Sequence, residues 1–314
     1  MTELEITAIP PLTAAQRSIA NAHTLLNLYQ VLHEELGQLG CDLAGDPGLL
    51  AVGLAECLRR VARLSDPAAA LQDANRTGDL DHLVQGELAD LLRRFPVGAA
   101  SPAAGVTRAQ IESLLWILNV RAREFVARTA NPAHATPLTV ADLEIDLQEL
   151  FRTMEQHSRG RYRFVYNLAL QEASDYYVDL RFAGSHSTAI PLPALVRETL
   201  RDLIANARKY TAPGGQIRVG LHSGTAGIRC VVEDTGRGIP AAELASVVQF
   251  GYRGSNVADV RSHGAGCGLT KAFLVARQFG GRFWIASELG RGTRIRFRIP
   301  PVAAGAVAPT ALQE

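Results

Sequence analysis

Apolar residues in the first third of the chain recur with a helical rhythm. Between Ala14 and Leu39 they return every three or four positions, which predicts one long helix. Similar spacing predicts three further helices, over Leu49–Leu64, Leu80–Phe95 and Thr107–Thr129. Thr107 is expected to be the N-cap of the last one, because its hydroxyl can accept from an unpaired backbone N–H.

After residue 137 the pattern changes to short alternating segments mixed with helices. Helices are expected over Leu138–Ser158, Pro193–Tyr210, Ala241–Gln249 and Cys267–Phe279. Strands are expected over Arg161–Leu168, Tyr176–Phe182, Gln216–Leu221, Gly227–Glu233, Arg282–Ser287 and Arg291–Ile299. This order predicts an α/β sandwich with one mostly antiparallel sheet and helices on one face.

The two patterns together predict an α+β protein with two domains. The helical domain is placed at residues 1–137 and the sandwich at residues 138–300, followed by a mobile tail over residues 301–314. Residues 1–12 are expected to be a disordered lead. The stretches Pro96–Gly105 and Asn131–Pro137 are expected to be linkers, because they are rich in small residues and proline.

Composition narrows the class of protein. Lys plus Arg number 32 against 31 Asp plus Glu, a balance that argues against a nucleic-acid or anionic-membrane binder. The four cysteines show no CxxC spacing, so neither a disulfide framework nor a zinc site is expected. No apolar run approaches the roughly 18 residues that cross a bilayer, and the N-terminus lacks the features of a signal peptide. The expectation is a soluble, cytoplasmic protein.

The helix predicted over Pro193–Tyr210 carries three polar residues of interest. Asp202 and Asn206 are four positions apart and so share one face. An Asn amide oxygen is a hard ligand that suits Mg²⁺, and Asp202 can accept a proton from an attacking group. Lys209 can place its ammonium on a phosphate. An ordinary amphipathic helix with a polar face is the alternative interpretation.

A second feature is the run Val231–Pro240, in which an apolar strand ends at Asp234. Gly236 and Gly238 follow, and a Gly-x-Gly turn allows the backbone to approach a flat ligand closely. The Asp234 carboxylate can accept from an exocyclic amino group, which selects adenine over guanine. A strand that simply ends in a tight turn remains the alternative.

A third feature is the glycine-rich run before the predicted helix Cys267–Phe279. Its glycines expose N–H groups at a helix N-terminus, where phosphate is favoured. The residues in question are Gly264, Gly266, Gly268, Leu269 and Thr270. Neither the P-loop pattern nor the order of a Rossmann motif is present. The intervening Phe250–His263 is expected to be a mobile lid, with Arg253 on the terminal phosphate or simply solvated.

In this order the motifs resemble the N, G1, F and G2 boxes of the histidine-kinase ATP-binding domain. That domain belongs to the GHKL superfamily, which it shares with gyrase and mismatch-repair ATPases. The resemblance covers about residues 138–300. It implies a Bergerat-type sandwich, Mg-ATP held by Asn206, adenine read by Asp234, and nucleotide contacts from Lys209 and Tyr210. Many histidine kinases have Asn where this chain has Asp202.

The first helix supplies a candidate phosphoacceptor. The spacing of His23, Asn27 and Gln30 resembles the acceptor helix of one histidine-kinase subgroup. A neutral imidazole can attack a phosphoryl group, and Asn27, one turn away, can orient the ring. The acidic residue usual after the acceptor is absent, since Thr24 follows His23. His33 is the weaker candidate.

The resemblance also implies partners. Two helices from each protomer would form a dimeric four-helix bundle, with Ala14–Leu39 and Thr107–Thr129 as the candidates here. The phosphoryl group would then pass to an aspartate of a response-regulator receiver domain. Two alternatives remain open, namely a serine kinase of the same superfamily and a non-catalytic ATP-binding regulatory module.

Overall fold

The computed structural model describes residues 1–131, 135–184, 189–260 and 265–301. Over this part the chain forms two compact units. One consists mainly of residues 12–130, and the other contains residues 1–11 with most of the chain from residue 131 onward. Each unit has its own cluster of buried apolar side chains. The expected mobile tail lies outside the described residues from position 302 onward.

The first unit is entirely helical where it is described. Its helices are α1 (Ala14–Asn21), α2 (His23–Ala44), α3 (Ala51–Arg63), α4 (Pro67–Asn75), α5 (Thr77–Arg94), α6 (Pro96–Ala99) and α7 (Pro102–Ala130). The long helices α2 and α7 pack on each other, and α3 covers another side of α2. Their contact buries leucines such as Leu32, Leu36 and Leu118.

The single helix expected over Ala14–Leu39 is wrong, because the structure divides it at Ala22. There φ is −91° and ψ is 13°, and α2 begins at the next residue, His23. No Gly or Pro marks the break. Instead the Arg128 guanidinium on α7 donates to the carbonyl of Asn21, an acceptor that a continuous helix would use internally. A contact distant in sequence therefore ends α1.

Two other expectations in this unit are corrected. Thr107 is not an N-cap but lies inside α7, where its hydroxyl donates to Asp42 at 2.7 Å. Pro96–Gly105 is not a linker, since it forms α6 and the start of α7. Proline suits the first turn of a helix, and the Ser101 hydroxyl accepts from the Ala104 N–H at 3.1 Å.

The start of helix α4 is marked by two residues that are typical of helix N-termini. The Asp66 carboxylate accepts from the Ala68 and Ala69 N–H groups at 2.8 and 3.3 Å, and Pro67 occupies the first helical position. An acceptor side chain followed by proline is a common helix start.

The second unit is built on a mixed seven-stranded sheet. Its strands and helices are β1 (Thr2–Ile6), β2 (Ala135–Thr139), α8 (Val140–His157), β3 (Phe164–Val165), β4 (Tyr176–Gly184), β5 (Ala189–Pro193), α9 (Ala194–Tyr210), β6 (Gln216–Gly224), β7 (Gly227–Asp234), α10 (Gly268–Gln278), β8 (Arg282–Glu288) and β9 (Gly292–Ile299). The large sheet has the order β1-β8-β9-β7-β6-β4-β3, and β2 pairs with β5 separately. β3, β4 and β6 run parallel, whereas the other pairs of the large sheet are antiparallel.

Helices α8, α9 and α10 cover one face of the large sheet and bury its apolar side chains. The opposite face carries exposed arginines, among them Arg218, Arg229 and Arg298. The predicted α+β class and the sandwich of one sheet with helices on one face are therefore confirmed. Thr139 caps α8, in a reciprocal capping box with Asp142.

The disordered lead expected at residues 1–12 is wrong for its first half. Strand β1 pairs antiparallel with β8, with Leu4 opposite Ile285. Ile6 is buried in the core of the sheet unit, and the Glu5 carboxylate pairs with the Arg282 guanidinium. The five residues of β1 have no pairing strand nearby in the sequence. Their partner, β8, lies far along the chain, so the local sequence does not predict this strand.

Three further elements differ from expectation. The helix expected over Ala241–Gln249 is wrong, because this stretch forms a short 3₁₀ turn over Ala241–Glu243 followed by turns. The Glu243 carboxylate accepts from the N–H and the hydroxyl of Ser255. The strand expected over Arg161–Leu168 is reduced to Phe164–Val165. The stretch Asn131–Pro137 contains the start of β2 rather than only a linker.

Candidate nucleotide site

Six of the predicted site residues of the sheet unit line one cavity. It holds about 110 Å³, against the roughly 10–15 Å³ that one water requires on the same measure. Helix α9, the turn after β7, the segment around residues 252–257 and the start of α10 all contribute to its wall. The lining includes Asn206, Tyr210, Asp234, Gly238, Arg253 and Leu269 from the sequence prediction. Apolar side chains such as Leu203, Val232 and Ile295 complete it, as suits a flat heterocycle.

Asp234 is the buried carboxylate of this cavity. Only 8% of the residue is exposed. Its Oδ1 accepts from the backbone N–H of Gly236 at 2.8 Å and of Thr293 at 3.3 Å. Both bonds end on Oδ1, so among the described residues Oδ2 is the oxygen left for a ligand. Burial raises the pKa of the Asp234 carboxyl to about 6, although the two N–H groups oppose the rise.

The glycines after Asp234 are required by close contacts. A Cβ on Gly236 would lie 2.4 Å from the carbonyl oxygen of Tyr210. Gly238 has φ of +68°, and a Cβ there would lie 2.0 Å from the carbonyl oxygen of Glu288. The Arg237 N–H donates to the same Tyr210 carbonyl at 3.1 Å. These contacts pack the turn after β7 against the end of α9. Asp234 and Asn206 therefore lie on the wall of the same cavity.

Asn206 presents its side chain to the cavity from α9. Its amide makes no hydrogen bond to any other residue that the structure describes. An amide oxygen with no protein partner, facing a cavity, meets the requirement for a ligand of Mg²⁺. Within the described residues there is no cluster of three His, Cys, Asp or Glu side chains able to hold a metal ion.

Lys209, one turn after Asn206, sits in a basic environment. Burial lowers the pKa of its ammonium to about 8, and the nearby Arg253 and Arg208 guanidinium groups add to the effect. Its Nζ lies 5.1 Å from the centre of the Tyr210 ring. Crowded positive charge of this kind favours an anionic ligand, because the anion relieves the repulsion.

The start of α10 carries the second glycine-rich run. Gly266 has φ of +68°, and a Cβ there would lie 3.0 Å from the backbone of Gly251 and Tyr252. Gly268 begins the helix and Leu269 lines the cavity. Thr270 is fully buried, and its hydroxyl has no partner among the described residues. Gly264, predicted as part of this run, lies outside the described residues.

The segment expected to be a mobile lid makes specific contacts over residues 250–260. The Arg237 guanidinium forms two bonds with the Asp259 carboxylate, at 2.6 and 2.8 Å. The Asn256 amide donates to the Gly238 carbonyl at 2.9 Å. Arg253 lines the cavity and donates to the carbonyl of Val260 at 2.7 Å. Residues 261–264 of the expected lid lie outside the described part.

Asp202 belongs to a buried charge cluster. The Lys271 Nζ on α10 lies 2.7 Å from Asp202 Oδ2 and 2.6 Å from Glu198 Oε1, both on α9. Lys271 is only 2% exposed. We call these three residues the Lys271 cluster. The sequence indicated Asp202 as a proton acceptor, whereas in the structure one of its oxygens is bonded to an ammonium group.

The candidate phosphoacceptor, His23, lies in the helical unit. His23 is the first residue of α2, and its Nε2 lies 3.3 Å from the Asn27 Nδ2. The expected pairing of these two residues on one helical turn is therefore present. His23 is only 6% exposed, so the ring is almost enclosed in this conformation.

Several residues of the cavity were missed by the sequence reasoning. Tyr252 and Asn256 stand in the glycine-rich segment, and Thr293 and Ile295 lie on β9. Thr293 stands opposite Asp234 in the antiparallel pairing of β7 with β9. A hairpin placed next to β7 would have suggested this neighbour, but strand order is not readable from local sequence. The sequence contains one weak indication that Lys271 belongs to the site, because the chain has only two lysines and both lie in the region of these motifs.

A family model matches part of this unit. Residues 192–303 match the model described as histidine kinase-, DNA gyrase B-, and HSP90-like ATPase. The adaptive-response sensory kinase SasA of Synechococcus elongatus is 37% identical over 118 residues, which are 37% of this chain and 30% of that protein. The histidine protein kinase DivJ of Caulobacter vibrioides is 35% identical over 115 residues, or 37% of this chain and 19% of that protein.

The chain thus spans less than a third of the length of these curated relatives. Among solved structures, the catalytic domain of histidine kinase ThkA has a TM-score of 0.38 and 17% identity, covering 53% of this chain and 95% of that one. In the ranges that the structure describes, no helix has the length and apolar character needed to cross a membrane.

Proposed function

We propose that the chain binds Mg-ATP and is a protein histidine kinase, because residues 192–303 match the model of histidine kinase-, DNA gyrase B- and HSP90-like ATPases. The observation that supports this best is the convergence of Asn206, Asp234 and Leu269 on one cavity. These residues come from three motifs far apart in sequence, and all three line the same cavity.

Adenine binding rests on Asp234 and the apolar wall. The Asp234 Oδ2 accepts from the exocyclic amino group, while Oδ1 stays fixed by two backbone N–H groups. Leu203, Val232 and Ile295 enclose the ring and exclude water. A carboxylate surrounded by apolar residues discriminates well against a base that offers an acceptor instead, because two acceptors would face each other unpaired.

Phosphate binding rests on the start of α10 and on the basic residues. The N–H groups after Gly266 point out of the first turn of α10, where the helix dipole favours negative charge. Arg253 lines the cavity, and Lys209 near it adds further positive charge. Asn206 would hold Mg²⁺, which offsets charge on the transferred phosphoryl group.

We place the acceptor at His23. Its Nε2 is oriented by Asn27, and the Asn27 amide donates when that nitrogen is unprotonated. Phosphoryl transfer requires the ring to leave the enclosed position that it has here, since only 6% of His23 is exposed. The phosphoryl group would then pass to an aspartate of a receiver domain in a response regulator, with the kinase acting as a homodimer.

A second candidate is a kinase or regulatory ATP-binding module without an acceptor histidine. Two observations favour it, namely the burial of His23 and the bond of Asp202 to Lys271. In this conformation the His23 imidazole is not accessible as a nucleophile, and one oxygen of the Asp202 carboxylate is already bonded to a cation.

Incubation of the full chain with γ-labelled ATP and Mg²⁺ separates these candidates. A histidine kinase yields a label that acid removes and base retains, and His23→Gln abolishes it while the affinity for ATP stays unchanged. His33→Gln is the matched control, because it changes a histidine on the same helix. An acid-stable label indicates a serine kinase, and binding without label indicates a regulatory module. Label retained in His23→Gln removes His23 from the reaction.

A further inference from the structure

We propose that Lys271 is a positioning residue of the nucleotide site, which joins the phosphate-facing turn of α10 to the face of α9 that carries Asn206. The inference rests on the proposed binding of Mg-ATP. It concerns a side chain that does not line the cavity, and so acts through the backbone and through Asp202.

The spacing on α9 supports this role. Glu198, Asp202 and Asn206 follow one another at intervals of four residues and therefore occupy successive turns of one helix face. Lys271 bridges the first two at 2.6 and 2.7 Å. The third faces the cavity. The ammonium is thus bonded one turn from the proposed Mg²⁺ ligand.

The position on α10 supports it as well. Lys271 is the fourth residue of the helix, and its N–H closes the first turn on the Cys267 carbonyl at 2.8 Å. The N–H groups preceding it are those that face the phosphates. A side chain anchored at this point fixes the first turn of α10 against α9, and so fixes the spacing between those N–H groups and Asn206.

Stability alone is a weak reason for such a cluster. A buried ion pair replaced by apolar side chains of similar volume is often no less stable, because the charges lose their hydration. What a buried pair does supply is a defined geometry, since each charge must keep its partner. A site that binds a polyphosphate and a metal ion together requires a fixed distance and orientation between α9 and α10.

Asp202 gains a defined role from this arrangement. With Oδ2 bonded to Lys271, the carboxylate cannot rotate freely, and its other oxygen keeps one direction. Asp202 is therefore oriented by α10. The position of the Asp202 carboxylate, as a ligand or nucleophile would contact it, therefore depends on α10, the proposed phosphate-binding helix.

Calorimetric titration of the full chain tests the proposal with two probes, Mg-AMP-PNP and adenosine. In Lys271→Met the affinity for Mg-AMP-PNP should fall about tenfold or more, whereas the affinity for adenosine stays within about twofold. The reason is that Asp234 and the apolar wall are untouched. Lys271→Arg should recover most of the loss, because it retains a cation between the two carboxylates.

Arg201→Met is the matched control. Arg201 is also buried on α9, but its guanidinium pairs with Asp146 on α8 and it does not line the cavity. The control should leave both affinities unchanged. Should Lys271→Met fail to fold, the triple variant Glu198→Gln, Asp202→Asn, Lys271→Met keeps similar shapes without buried charge, and the same selective loss is expected.

Unchanged affinity for Mg-AMP-PNP in Lys271→Met, or an equal loss for both probes, overturns the inference. A wild-type chain that binds neither probe refutes the proposed function itself. The two failures are therefore distinguishable in one set of titrations.

Discussion

At the scale of single residues, the burial of the Asp234 carboxylate costs stability. Its carboxylate is buried, and the pKa rises from 3.8 to about 6 in the folded protein. A folded state that holds the proton more tightly than the unfolded chain loses stability as pH rises between these two values. Above about pH 6 the loss is complete and amounts to roughly 2–3 kcal/mol.

Asp234→Asn should therefore stabilise the protein without ligand at neutral pH while weakening ATP binding. The amide oxygen can still accept from Gly236 and Thr293, but the amide NH₂ opposes the amino group of adenine. The gain in the free energy of unfolding, up to roughly 2 kcal/mol, should vanish as pH falls below about 4. Urea unfolding across this pH range checks the prediction. Equal stability of both proteins at pH 7 would contradict the burial cost.

Lys209 should make the binding of Mg-ATP depend on pH, because its ammonium has a lowered pKa. Its pKa is lowered to about 8, so the ammonium loses its proton as pH rises through that value. Phosphate beside it favours the charged form and raises the pKa again. Binding of Mg-ATP near pH 8 should therefore take up part of a proton, and affinity should fall as pH rises further.

Calorimetry in buffers with different ionisation enthalpies measures this proton uptake. Lys209→Met is the comparison, since it removes the titrating group and should abolish the uptake near pH 8. The same uptake in both proteins would assign the titration to another group.

At the scale of elements, β1 shows how a strand depends on its partner. Ile6 is 5% exposed and contributes to the core of the sheet unit from the beginning of the chain. Ile6→Ala should lower the free energy of unfolding of this unit by about 2–4 kcal/mol, because the site is buried and leaves a cavity. Thr7→Ala, just beyond the strand and exposed, should change it by less than about 0.5 kcal/mol.

Denaturant unfolding monitored by the fluorescence of Trp284, on β8 next to β1, measures the effect. Trp116, on α7, is replaced by Phe in the parent protein so that a single signal reports on the sheet unit. Similar stability of Ile6→Ala and Thr7→Ala would show that β1 is not a functional part of the sheet in solution.

Elements also show why some predictions from sequence succeed. The bounds of α9, β6, β7 and β8 agree closely with expectation, because periodicity and turn residues act locally. The break at Ala22 was missed, since Arg128 supplies it from more than a hundred positions away. The break at Ala22 therefore depends on a partner that is distant along the chain. The helix expected over Ala241–Gln249 is a 3₁₀ turn followed by turns.

At the scale of the whole molecule, the helical unit has a core of its own. The leucines of α2 and α7 are buried against each other and against α3 within residues 12–130. Arg60 is fully buried and is satisfied inside the unit by Glu56 and by the carbonyls of Asp73 and Arg76. A unit with an apolar core and internally paired charge is expected to fold alone.

Residues 12–130 expressed alone should therefore be helical and unfold cooperatively. Circular dichroism during urea unfolding, together with the dispersion of amide signals in NMR spectra, tests this. Leu36→Ala, at a fully buried position of α2, should lower the stability by about 2–5 kcal/mol. A broad transition with binding of a hydrophobic dye would instead indicate that the core is incomplete without other parts of the chain.

The amino-acid sequence determined the local features of this protein. The repeat of leucines sets the helices, Asp234 with its glycines sets a turn that can approach a ligand, and the glycine-rich run sets an anion-favouring helix start. These features depend on residues close to one another along the chain, so they can be read from it. They also carry enough order to indicate the family.

Tertiary structure alone decided the rest. It pairs β1 with β8, encloses His23, and brings Lys271 between Glu198 and Asp202. Each of these outcomes joins groups that local pattern treats as unrelated, and burial then changes their chemistry by removing water. The function of Asp202 illustrates the point, because its position in the sequence suggests a base while its neighbour in space is a cation.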